Sequence, residues 1–302
     1  MDIDPADSQR ETPMAAWLAT IAFFLPGADQ PATYVRPDLL VEPADLARAK
    51  HLHVLDARGK GKYVDGHAPG AVWVDATTWA RAFGEGGDQA GWEKRIGALG
   101  ITTETPVAIY DDSQSKDAAR MWWILRFWGV KDVRLVNGGW RGYVASGGPV
   151  EKGEITPAAV ATTLSPRRDR LATKVQLKDM VRAGGASSQI VDTRSAGEYC
   201  GTEQTAKRNG AIPGSAHLEW SDTLDPKTGR FKSAEELTRL FREAGVDAHK
   251  PAVTYCQSGG RASVMAFVLE LMGGKDVRNY YKSWADWGND PETPVVKPEP
   301  KK

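Results

Sequence analysis

Two cysteines in 302 residues, Cys200 and Cys256, are too few for a disulfide framework or a structural zinc site. Histidine is also sparse. His51 and His53 form a His-x-His pair with no third ligand in evidence, so no metal site is expected there. There is no excess charge of either sign: 39 Lys and Arg balance 39 Asp and Glu, so no global field favours nucleic acid or an anionic membrane. The longest apolar run, residues 15–25, is well short of the ~20 residues that span a bilayer. It has the length of a signal-peptide core, but Asp2, Asp4, Asp7 and Glu11 precede it against a lone Arg10, where an export signal needs a positive start. Residues 1–32 therefore read as an N-terminal extension of a cytoplasmic protein, with a signal segment for export as the alternative.

What is present is a repeat. Pro106-Val107-Ala108-Ile109-Tyr110-Asp111 matches Pro251-Ala252-Val253-Thr254-Tyr255-Cys256 at an offset of 145 residues. Ala68-Pro69-Gly70-Ala71 matches Ile212-Pro213-Gly214-Ser215, and Trp140 matches Trp284, both at an offset of 144. Val54-Leu55-Asp56-Ala57-Arg58 matches Ile190-Val191-Asp192-Thr193-Arg194 at 136, so the second copy gained about eight residues in the polar stretch 201–210. Two copies of a long unit are a duplicated domain, since solenoid periods are much shorter. Within each copy, short β-branched runs alternate with amphipathic stretches, and 116–128 and 262–272 read as helices that directly follow a strand. Such units build an α/β fold with a parallel sheet flanked by helices on both faces. The divisions read as 33–151 and 171–297 for the two domains, 152–170 for a linker, and 298–302 for a disordered tail.

Cys256 ends a strand, and Gln257-Ser258-Gly259-Gly260-Arg261 carries the chain into a helix. Two glycines permit positive φ, so consecutive N–H groups can form an anion-binding nest at the positive end of that helix. Such amides and Arg261 are the features that lower a cysteine pKa and make the thiolate nucleophilic. The passive reading of Cys256 is a buried structural cysteine. Cys200, at the start of the inserted stretch, reads as passive or as a partner for an oxidised Cys256.

These residues resemble the two-domain rhodanese sulfurtransferases over about 270 residues: both Asp-x-Arg strands, both Pro-Gly turns, the Cys256–Ser263 loop, and the Gly138-Gly139-Trp140 and Lys282-Ser283-Trp284 segments. The resemblance implies tandem rhodanese-like domains, a catalytic C-terminal copy, and a silent N-terminal copy with Asp111 at the cysteine position. It implies that Cys256 takes sulfur from a small-molecule donor, thiosulfate, as a persulfide and passes it to a thiophilic acceptor such as cyanide or a thiol. That covalent cysteine chemistry requires no organic cofactor. Gln257, Ser258, Gly259 and Gly260 would bind the donor with Arg261. Arg194 would lie either at the pocket edge facing substrate or in a structural salt bridge.

Mercaptopyruvate-using relatives carry a donor-binding arginine four residues beyond Arg194, where this chain has Glu198. That carboxylate would repel mercaptopyruvate and favour thiosulfate, unless Lys207 and Arg208 supply the missing cation. Mercaptopyruvate sulfurtransferase is the alternative. A cysteine phosphatase of the same fold places five residues between Cys and Arg, whereas four intervene here, and a non-catalytic binding module fits the Asp111 copy better than the whole chain. In the silent copy, Asp112-Ser113-Gln114-Ser115 has no glycine, so its turn is not expected to point several N–H groups at one anion without strain.

Overall fold

In a computed structural model of the protein, Met1 and residues 33–299 are described, apart from Glu85 and residues 185–187. The expectations for the N-terminal extension and for the end of the tail lie outside the described residues. Among the described residues, nine strands form two sheets. The first contains β1 (Leu40–Val41), β2 (His53–Asp56), β3 (Val72–Trp73), β4 (Val107–Tyr110) and β5 (Val133–Val136) in the order β1-β5-β4-β2-β3. The second contains β6 (Gln189–Asp192), β7 (Ser215–His217), β8 (Ala252–Tyr255) and β9 (Val277–Asn279) in the order β7-β6-β8-β9. Every pairing is parallel. The α/β reading of each copy therefore holds.

The central strands β4 and β8 are buried at every residue, as expected for strands covered on both faces. Their registers correspond: Asp56 stands opposite Tyr110 and Asp192 opposite Tyr255. Strands β1, β3 and β7 were not legible from periodicity, because each has only two or three residues.

The helices Lys116–Phe127 and Gly260–Leu271, each following its central strand, pack against one another and join the copies through a common core. Trp122 meets Phe267 edge-on with centroids 5.1 Å apart, and Trp123 stacks on Tyr281 at 5.2 Å. Most of the tryptophans are core residues, as anticipated; Trp92, Trp122, Trp123, Trp128, Trp284 and Trp287 are wholly enclosed.

A charge is enclosed in the same interface. Glu270, on the second helix, accepts from Arg170 at 2.5 Å and faces Arg126 of the first helix at 3.8 Å. Burial lowers the Arg126 pKa, and the neighbouring Arg170 charge adds to the effect. Removing this buried acid leaves the buried Arg170 and the partly buried Arg126 uncompensated, which for a buried pair costs about 3–5 kcal/mol. Glu270→Gln should accordingly lower the unfolding free energy by about 3 kcal/mol in denaturant titration. A loss below about 1 kcal/mol would mean that the arginines reach solvent.

Candidate active site

Strand β8 ends at Tyr255, and the next residue, Cys256, is 1% exposed. The chain then folds back over the sulfur. Gly259 adopts φ +84°, and its N–H points at Cys256 Sγ (3.1 Å) and at Ser283 Oγ (3.2 Å). Asn279 Nδ2 and Ser263 Oγ hold the turn by donating to the Gly259 carbonyl at 3.1 and 2.8 Å. Ser283 supports the other side: it accepts the Cys256 N–H at 3.1 Å, and its Oγ lies 3.9 Å from Sγ. The sulfur thus sits at the start of the twelve-residue helix Gly260–Leu271, where amide dipoles favour negative charge.

Only one of the two glycines uses positive φ, contrary to expectation. Gly260 is already the first helical residue, and a Cβ there would lie 2.4 Å from Nη2 of Arg120, a side chain of the first copy. Arg120 Nη1 donates to the Ser258 carbonyl (2.8 Å) and to the Tyr281 hydroxyl (2.9 Å). Burial raises the Tyr281 pKa; Arg120 opposes this, and negative charge on Cys256 reinforces it. Sequence reasoning missed both Arg120 and Ser283. The second carries a readable signal, since Ser283 is a non-glycine residue at φ +55° where the first copy has Gly139 at φ +56°. Left-handed backbone at serine costs about 1 kcal/mol or more and persists where the side chain is needed.

The loop cation is engaged. Arg261 forms a two-point ion pair with Glu198 (Nη1–Oε2 2.5 Å, Nη2–Oε1 2.9 Å). Glu198 is fixed in turn by a reciprocal cap with Ser195 at the start of the helix Ala196–Cys200. Burial pushes the Glu198 pKa up, but the Arg261 hydrogen bonds and charge prevail and hold it below the ordinary carboxylate value. For Arg261, burial opposes the charged form, whereas Glu198 and Cys256 both favour it.

Several expected roles change with this geometry. Glu198 does not face an open pocket as a free repelling charge; it is spent on Arg261, and Arg261 is spent on it. Arg194 is wholly buried, bonded to Asp192 (2.5 Å) and to the Gly210 carbonyl (2.7 Å), with its guanidinium 4.4 Å from the Trp284 ring centroid. That is the salt-bridge alternative, with Nη1 enclosed and given no hydrogen-bond partner among the described residues. Arg208 donates to the carbonyls of Trp287 (3.0 Å) and Thr293 (2.6 Å), near the end of the helix Ser283–Trp287, so it supplies no pocket cation. Lys207 is exposed, and its backbone N–H is bonded to Asn289. Gln257 Nε2 is tied to the Thr205 carbonyl (3.0 Å), so the inserted stretch 201–210 braces the cysteine loop. The Ser258 side chain is exposed. No group of His, Cys, Asp and Glu among the described residues could hold a metal.

The turn of the silent copy does gather several amides, and it does so with the backbone strain expected of a loop without glycine. Asp111 Oδ1 accepts from the amides of Ser113 (3.2 Å) and Ser115 (2.9 Å), and Oδ2 from those of Asp117 (2.8 Å) and Ala118 (2.9 Å) and from Ser113 Oγ (2.9 Å). Several N–H groups do converge on one anion, and that anion is the aspartate itself. The missing glycines are replaced by Gln114 and Ser115 at φ +57° and +62°, a strain offset by the hydrogen bonds. Burial raises the Asp111 pKa against the pull of the Ala118 amide and the Ser113 hydroxyl.

Comparison with known proteins agrees with this duplicated architecture. The rhodanese-like domain pattern matches residues 41–146 and again 173–290. The chain belongs to the rhodanese family. It is 30% identical over 264 residues to a thiosulfate sulfurtransferase of Pseudomonas aeruginosa, covering 85% of this chain and 96% of that one. It is 34% identical over 254 residues to the sulfur carrier protein TtuD of Thermus thermophilus, covering 78% and 87%. Among solved structures, YnjE superposes with a TM-score of 0.73 at 26% identity over 87% of this chain and 69% of that one. SseA of Escherichia coli, a 3-mercaptopyruvate sulfotransferase, shares the fold with a TM-score of 0.71 at 24% identity, over 82% and 98%. The chain is a sulfurtransferase of the rhodanese type that works through a cysteine persulfide.

Two tests follow from the buried carboxylates. Asp111→Asn exchanges an acceptor of five hydrogen bonds for a group with its own N–H donors, so unfolding should become easier by about 1–3 kcal/mol while sulfur transfer persists; unchanged thermal stability would contradict the hydrogen-bonded nest. Because the Glu198 pKa is lowered on folding, its contribution is present above the unfolded value of about 4.3 and lost as pH falls through the folded one. Denaturant midpoints of Glu198→Gln and wild type should therefore differ most near neutrality and converge in acid.

Proposed function

We propose that the protein is a thiosulfate sulfurtransferase of the cytoplasm, with Cys256 as the sulfur carrier. The observation that carries this reading is the Gly259 amide aimed at a buried Cys256 Sγ at 3.1 Å, with the Arg261 guanidinium alongside. The Cys256 thiolate attacks the outer sulfur of thiosulfate. A bond forms between Sγ and that sulfur, and the bond to the sulfonate sulfur breaks with its electron pair leaving on sulfite. The resulting persulfide bears one negative charge on its terminal sulfur, which the loop amides and the helix start stabilise. In the second step cyanide or a thiolate attacks the terminal sulfur, and the electron pair of the S–S bond returns to Sγ. Arg261 and the loop from Gln257 to Gly260 act on the donor, while Arg194 secures the fold beneath them. Relatives named thiosulfate sulfurtransferase support this donor.

The two-point Glu198 bond changes how the donor binds. An incoming dianion competes with Glu198 for Arg261, and a mercaptopyruvate carboxylate meets the same competitor with less charge to displace it. Mercaptopyruvate remains the second reading because of the likeness in fold to SseA.

Steady-state rates with each donor against cyanide give the test. Thiosulfate should have the higher kcat/KM, and Glu198→Gln should lower its KM severalfold by freeing Arg261. A preference for mercaptopyruvate would reverse the donor assignment. Cys256→Ser should abolish turnover and the mass gain of one sulfur (about 32 Da) after thiosulfate treatment, whereas Cys200→Ser should retain both. A sulfur trapped on Cys200 would overturn the assignment of the carrier.

A further inference from the structure

The charges around the cysteine loop leave one guanidinium without an acid. Arg261 is paired with Glu198 and Arg194 with Asp192, and Arg208 is taken up by carbonyls. Arg120 comes from the other copy and has no carboxylate at ion-pair distance among the described residues. Its bonds go to two neutral acceptors, the Ser258 carbonyl and the Tyr281 hydroxyl. Its guanidinium carbon lies 5.4 Å from the Tyr281 ring centroid, and Nη2 occupies the space that a side chain at residue 260 would need.

We infer that Arg120 of the silent domain is a positioning residue of the sulfur-transfer site, fixing the Ser258 peptide so that the Gly259 N–H points at Cys256 and placing an uncompensated positive charge beside the loop. The inference deepens the proposed function and rests on Cys256 as the sulfur carrier.

The peptide geometry supports the first part. The Ser258 carbonyl and the Gly259 N–H belong to one planar amide, so a donor that fixes the oxygen also fixes the direction of the hydrogen. That hydrogen bonds to Sγ and Ser283 Oγ, while Arg120 holds the opposite end of the same peptide. Gly260 supports the second part: the N-terminus of the catalytic helix is left bare of a side chain where the guanidinium rests. The site is thus assembled from both copies. The first copy has Asp111 at the cysteine position but supplies a cation to the second.

The test uses the full-length chain in a Cys200→Ser background with Arg120→Met and Arg120→Lys. The first readout is the pH profile of Cys256 alkylation by iodoacetamide, followed by mass, which needs no sulfur donor. The second is kcat and KM with thiosulfate and cyanide, with thermal midpoints recorded alongside. Arg120→Met should move the alkylation midpoint to higher pH and lower kcat/KM for thiosulfate about tenfold or more, the effect of losing a charge-assisted hydrogen bond at the reacting group. Arg120→Lys should recover most of the midpoint, which follows charge, and less of kcat, which follows loop geometry. A midpoint within 0.2 units, roughly the resolution of such a profile, together with kcat/KM within about twofold of the parent would overturn the inference. If Arg120→Met does not fold, the same criteria apply to the kcat of Arg120→Lys. If the parent uses a donor other than thiosulfate, the alkylation profile still decides the role of Arg120, so the two claims fail separately.

Discussion

Each half of this chain is organised around the same electrostatic demand. A central strand ends, the backbone reverses, and the amides that open the next helix face a single point that favours negative charge. In the first half the Asp111 carboxylate meets that demand with five hydrogen bonds, a covalently attached anion that never leaves. In the second half the corresponding residue is Cys256, which receives one amide and lies close to Arg261. In the proposed function the chemistry belongs to the half in which the demand is incompletely met, where a thiolate or persulfide at Cys256 would complete it and the terminal sulfur could depart to an acceptor.

The scaffolding around the two points is the same in both halves. Asp56 binds Arg58 beneath Trp140, and Asp192 binds Arg194 beneath Trp284, with guanidinium-to-ring distances of 3.9 and 4.4 Å. Tyr110 and Tyr255, the register partners of those acids, accept the amides of Ala68 and Ile212, both at 3.1 Å. Enclosed ion pairs of this kind are costly to desolvate and survive because each arginine is also bonded to a backbone carbonyl, Gly66 or Gly210. They hold the ends of the central strands together, and hence the loop.

Much of this was legible in the sequence, because duplication prints the same apolar runs twice. Six of the strands and the two helices behind the loops follow from apolar runs repeated between the copies, such as residues 106–111 matching 251–256, and glycine beside a strand-end cysteine singled out the loop at Cys256. The partners of charged side chains were not legible. Nothing in the spacing of Glu198 and Arg261, 63 positions apart, says that they meet, nor that Arg120 reaches across 138 positions to Ser258. Periodicity reports which face of an element is covered, whereas ion pairing depends on how elements are arranged. The strain of the silent loop was legible from its lack of glycine, but what offsets it was not: five hydrogen bonds to the Asp111 carboxylate sustain positive φ at Gln114 and Ser115.

The acid enclosed between the two halves bears on whether the repeats can be separated. Here Glu270 of one half lies between Arg126 of the other and Arg170 of the segment joining them, and Trp122 and Phe267 close the same seam. Divided just ahead of Arg170, one fragment would carry a glutamate that has lost Arg126 and the other an arginine that has lost its acid, each on a freshly wetted aromatic face, so neither repeat should keep its packing when expressed by itself.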